Sequence, residues 1–250
     1  MPGAGARINF GGMGRTGVEQ SAGRFVPAPQ DIRQKVEVRF VKGEDARFIS
    51  HHDLMRAFQR ALRRSGLPVR QTAGFNPRPR LVFPAALETG VASLDEAVEI
   101  EFTQWNPLDL IQNRLAACLP PGLSLLSLRE IPPHRRGAMV SELRFKVHLA
   151  ERRLAVSPRD IARLLAAPRL PFRREQPWKE RGRTVVEVDL RPALAGIALD
   201  AGGDLEITLR PSPAASARPL EVLSLLTGLP LSELRRVRVT KLRTGLAPAP

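Results

Sequence analysis

The sequence predicts an α+β protein made of two tandem ferredoxin-like (split βαβ) lobes with antiparallel sheets, behind a flexible N-terminal leader. Three observations carry this expectation. Stretches with period-two and helical-period apolar spacing follow one another in the order β, α, β, β, α, β, and that order recurs after residue 137. A segment rich in proline and arginine, Pro132-Pro133-His134-Arg135-Arg136-Gly137, separates the two runs. The 250 residues also exceed the usual single-domain size of roughly 100 to 150 residues, so one or two domains are expected.

Residues 1–32 are rich in Gly, Ala, Pro and Arg, as in Gly11-Gly12-Met13-Gly14-Arg15, and show no apolar period, which predicts the leader. The first lobe is placed at 33–131. Val36, Val38 and Phe40 alternate with Lys35, Glu37 and Arg39, the pattern of a half-buried strand. Ser50 to Asp53 has the form of a capping box, Leu54, Phe58, Ala61 and Leu62 recur at helical spacing, and Gly66 stands where a helix would stop. Strands at 80–83 and 97–103, a helix at 107–119 and a strand at 123–129 complete the lobe. The second lobe, at 138–243, reads as strand 143–149, helix 158–165, strands 184–190 and 205–209, helix 220–226 and strand 234–241, with a flexible tail at 244–250.

Charge and composition narrow the function. The net charge is +14, and Lys35, Lys42, Lys146, Lys179 and Lys241 are the only lysines among 39 basic residues, so arginine dominates. A polyanion such as RNA is the partner this implies. The excess sits in the second half, where residues 132–250 hold 22 basic and 12 acidic residues, against 14 and 11 in 33–131. There Arg173, Arg174, Lys179, Arg181 and Arg183 bracket Trp178, joining phosphate contacts to one stacking ring. The chain has no tyrosine and 5% aromatic residues, so the aromatic sheet platform of an RNA-recognition motif is not readable in it, and salt-sensitive, weakly selective binding is expected.

The single cysteine, Cys118, excludes a disulfide or a thiolate-bound iron–sulfur cluster within the chain. No metal site or cofactor is expected. The chain has no Gly-x4-Gly-Lys-Ser/Thr loop, no Gly-x-Gly-x2-Gly following a strand, no Gly-x-Ser-x-Gly elbow and no His-Glu-x2-His. With no apolar run of about 18 residues and no signal-peptide core, a cytoplasmic protein without a membrane span is expected.

The stretch from Phe48 through Ser50-His51-His52-Asp53-Leu54-Met55-Arg56 to Phe58, followed by Gly66-Leu67-Pro68 and Gly74-Phe75-Asn76-Pro77-Arg78-Pro79-Arg80, resembles a bacterial family of unknown function, the radical SAM-linked proteins. The likeness is strongest over 36–104 and extends to about 243. It implies a protein fused to, or encoded beside, a B12-binding radical SAM protein, in some neighbourhoods with ribonuclease E/G. It therefore implies an accessory role, because the chain lacks the Cys-x3-Cys-x2-Cys signature of radical SAM chemistry.

Candidate sites follow from the same segments. Arg56, Arg60, Arg63 and Arg64 recur every three or four residues and stack on one helix side. In the 74–80 loop the two prolines stiffen the presentation of Arg78 and Arg80 to an anion, with Phe75 packing or stacking; the alternative is that these arginines pair with Glu99 or Glu101. His51 and His52 are candidate general acid/base groups, although adjacent helical residues point to different faces, which disfavours a shared metal. Three readings remain open: an RNA-binding or enzyme-partner protein, a metal-independent RNA endonuclease or modification enzyme using His51 or His52, and a protein-only adaptor.

Overall fold

The computed structural model describes residues 31–73, 75–178, 182–211 and 215–247. The alternation at the start of the chain becomes β1 (Gln34–Lys42), with Val36, Val38 and Phe40 all at 0% exposure. α1 (His51–Ser65) follows. Its cap is Ser50, whose hydroxyl accepts from the Asp53 amide, and it ends at Gly66 in the left-handed conformation (φ 66°) that glycine adopts without a Cβ penalty. Then come β2 (Leu81–Val82), β3 (Val91–Phe102), α2 (Leu108–Ala116) and β4 (Leu123–Ile131).

The second half comprises β5 (Met139–Val147), α3 (Pro158–Ala166), β6 (Pro171–Trp178), β7 (Gly182–Asp189), β8 (Leu194–Leu199), β9 (Leu205–Leu209), α4 (Pro219–Thr227), α5 (Leu231–Leu234) and β10 (Val239–Ala247). α3 carries a complete capping box between Ser157 and Asp160 and begins on Pro158, where a proline has no helical donor to lose.

An α+β fold with a mostly antiparallel sheet results, as expected. The main sheet runs β4-β1-β3-β10-β5-β9-β8, with β2 on the far end of β3. The two halves do not form separate sheets. β10 closes the second half against β5 and also pairs in parallel with β3, Val239 opposite Val91 through Lys241 opposite Ser93. β10 continues through 244–247, residues expected to lie in a tail, because these pair with Met139 to Leu143 of β5.

The strand expected at 184–190 is β7, but it pairs with β6 in a two-stranded hairpin outside the main sheet, and β8 takes the sheet position beside β9. Both differences have a physical cause. Pro171 and Pro177 mark β6 as a poor strand by sequence, yet an isolated hairpin has no second neighbour for a proline to deprive. β8 reads Leu-Ala-Gly-Ile-Ala-Leu, weak in β-forming residues, and is held by its neighbour.

Two apolar cores lie under the helices. In the first, Phe58 of α1 meets Phe40 edge-on at 4.8 Å between centroids, a geometry worth about 0.5–1.5 kcal/mol beyond simple burial. In the second, Ile161, Leu164, Val222 and Leu223 cover Phe145, Val147, Leu205 and Ile207. The other face of β1 and β3 is charged but not open to solvent: Lys35, Glu37, Glu99 and Glu101 are each at most 6% exposed. The 132–138 connection covers part of it, since Lys35 Nζ donates to the Arg135 carbonyl (3.1 Å) and the Ala138 amide donates to Glu99 (2.8 Å). Lys35 also pairs with Glu99 at 2.7 Å, so the buried charges compensate one another.

Candidate polyanion-binding groove

The residues singled out on α1 divide by neighbour. His52 is exposed, whereas the His51 ring stands edge-on to Phe83, 5.3 Å between centroids. Burial, with His52 beside it, lowers the His51 pKa and keeps the imidazole neutral near pH 7, and its buried Nδ1 has no hydrogen-bond partner. Asp53 has its carboxyl below the usual range because the Ser50 hydroxyl donates to it at 2.7 Å. No group of three or more metal-ligating side chains occurs among the described residues.

Arg56 pairs with Asp53 at 3.5 Å, Arg63 donates to the Pro77 carbonyl at 3.2 Å and Arg64 donates to the Cys118 carbonyl. Arg60 is exposed with no side-chain partner among the described residues. Arg63 thereby ties the helix to the loop before β2. Gly74 lies outside the described residues; the loop around it closes through the Thr72 amide on the Arg78 carbonyl (2.8 Å) and the Arg80 amide on the Arg70 carbonyl (2.8 Å). Phe75 is 78% exposed, and the Arg78 side chain is exposed with no side-chain partner among the described residues. Arg80 instead pairs with Glu101 at 3.2 Å, beside Arg70 at 2.7 Å, so its guanidinium already serves a buried carboxylate.

A second basic surface forms where β6 passes α4 and α5. A groove of about 700 Å³ there is lined by Arg173, Arg174, Arg218, Glu221 and Arg235 among others. Arg174 makes a two-pronged contact with Glu221, 2.8 and 2.7 Å, and its Nη1 and Nη2 also donate to the hydroxyl and carbonyl of Ser216. Glu221, 1% exposed, also accepts from the Arg218 amide at the start of α4, so this buried carboxylate is fully engaged. Arg218 pairs with Glu88 at 2.9 Å. Burial raises the Glu88 pKa, an effect Arg218 opposes.

Arg173 and Arg235 are different. Both are exposed, line the groove, and have no side-chain partner among the described residues. Arginines continue past Arg235: Arg152 donates to the Arg236 carbonyl at 3.3 Å, and Arg238 pairs with Glu151. The strip is therefore positive and preshaped by the Arg174–Glu221 contact. The Trp178 side chain, Lys179 and Arg181 lie outside the described residues.

Among the groove residues, Arg173 and Arg174 stood out by local charge, whereas Arg218, Glu221 and Arg235 did not. Arg218 occupies an N-cap position that favours Ser, Thr, Asp or Asn, so the Pro219 and Glu221 signals of a helix start lacked their usual first residue. Comparison with curated proteins finds no match. Residues 35–219, from β1 to the first residue of α4, match the family described as an uncharacterized protein conserved in bacteria (DUF2344), and the chain belongs to that family.

Proposed function

We propose that this chain is a radical SAM-associated accessory protein that binds RNA through its arginine-rich surface, with the groove between β6 and α5 as the contact. The observation that carries this reading is the pair Arg173 and Arg235, without a side-chain partner among the described residues on one groove of a chain with net charge +14. Guanidinium groups without carboxylate partners can take up phosphate without breaking an existing ion pair. The radical SAM link rests on the resemblance of the Phe48-to-Arg80 segment. We also infer two ferredoxin-like halves, because β4-β1-β3-β2 and β10-β5-β9-β8 place equivalent strands in the same order.

The test is RNA recovery with the protein from cells, followed by titration of the recovered RNA at two salt concentrations. Arg173→Ala/Arg235→Ala is expected to weaken binding about tenfold or more and to lower the logarithmic salt slope by about 2, while Arg78→Ala/Arg80→Ala changes it less. Unchanged affinity in the first variant would overturn the groove assignment. No recovered RNA would favour a protein-only adaptor role, with a B12-binding radical SAM protein or a ribonuclease E/G-type enzyme as partner. The orphaned Nδ1 of a neutral His51 supports one enzymatic alternative, a metal-independent ribonuclease. RNA cleavage that persists in EDTA and is lost in His51→Ala or His52→Ala would establish it.

A further inference from the structure

Arg174 and Arg218 have a second side. Where the 84–91 connection, the start of β5 and the segment before α4 converge, they border a cleft of about 470 Å³. Its walls are apolar, including Ala86, Leu87, Val140, Leu143 and Phe145. Its charged lining groups at the α4 side are already matched, Arg174 by Glu221 and Arg218 by Glu88. Among the described residues the remaining charged group lining it is Lys241 of β10, 1% exposed, at the strand that joins the two halves.

Lys241 is incompletely served. Its Nζ lies 2.5 Å from Glu96 Oε1, and among the described residues no other acceptor engages it, so the remaining N–H groups of the ammonium are unserved. A second buried ammonium lies within electrostatic reach of that carboxylate. Lys42, also 1% exposed, donates to the carbonyls of Arg47 and Ile49 at 3.0 Å each, and is close enough to Glu96 and Lys241 for both to act on its proton affinity. Two ammonium groups thus face one carboxylate, leaving one positive charge under an apolar cleft. An unmatched buried charge is costly, and a single anion would offset it.

We propose that this cleft binds an amphipathic organic monocarboxylate, its apolar body against Leu87, Val140, Leu143 and Phe145 and its carboxylate accepting from Lys241 Nζ. One negative charge matches the deficit, whereas a phosphate monoester would bring about two. The volume falls within the range of about 300–1,000 Å³ in which small-molecule sites occur.

Calorimetric titration of the full chain with octanoate and with octanol tests this. Octanoate is expected to bind about tenfold or more tightly than octanol, the margin of a buried charge-assisted contact. Lys241→Met should abolish that preference while retaining the fold, because Lys42 and Glu96 are left one to one. Ala86→Trp, at the exposed rim, should weaken both probes. Absence of octanoate binding, or a preference that survives in Lys241→Met, would overturn the proposal. Should Lys241→Met fail to fold, equal affinity for the two probes in the unaltered chain, or no effect of Ala86→Trp, would do so. Arg173 and Arg235 do not line this cleft, so Arg173→Ala/Arg235→Ala should leave octanoate binding unchanged.

Discussion

Lys42 is a residue whose chemistry departs from its type. Burial lowers its pKa from 10.5 to about 8, an effect that Glu96 opposes and Lys241 reinforces. Between those two values the unfolded chain holds a proton that the folded chain has released, so stability rises with pH across that window; below about 8 both states are protonated and the full cost of the buried charge remains. Relative to Lys42→Met, which cannot titrate, the native chain should gain up to about 3 kcal/mol of unfolding free energy between pH 7 and 10.5. Urea unfolding of both proteins at several pH values measures this, and a pH-independent difference would show that the ammonium carries no penalty. Alternation along β1 could not reveal such a residue. A register shift between Phe40 and Lys42 redirects the strand end, and the carbonyls that hold Lys42 come from the turn before α1.

At the scale of elements, legibility followed local signals. α1 was readable to within a residue because a side-chain cap, an apolar stripe and a glycine stop all agree. β6 and β8 were not, since prolines in one and small residues in the other argue against strands that pairing nevertheless stabilises. Gly122, in the turn between α2 and β4, shows a constraint that no composition rule exposes. Its φ is +83°, and a Cβ there would lie 2.9 Å from the Ala46 Cβ, while its carbonyl accepts from the Gly43 amide at 2.8 Å. Gly122→Ala should cost about 1–3 kcal/mol through strain and this contact, whereas Gly196→Ala, with open space at its Cβ position, should stay within about 0.5 kcal/mol. Chemical denaturation of the two variants side by side checks the contrast; equal effects would contradict it.

For the molecule as a whole, β10 is the joint. It pairs with β5 and β3, contributes Lys241 to Glu96, and its Thr244 carbonyl accepts from Arg39 at 2.7 Å. Ending the chain after Arg238 would expose the edges of β3 and β5 together, so the shortened protein should associate and be cut rapidly by protease. Size-exclusion chromatography with limited proteolysis reads this, and a monomer as resistant as the full chain would show that the halves stand without the joint. The basic excess, the α+β class, the capped α1 and the Arg173–Arg174 pair were all legible from the residues, because each depends on composition or on neighbours within a few positions. Pairing across the halves was not: β10 beside β3, Arg235 across from Arg173, and Lys241 paired with Glu96 join residues far apart in the chain. Such contacts are selected by burial and hydrogen-bond satisfaction in the folded sheet, and those energies have no local pattern to read.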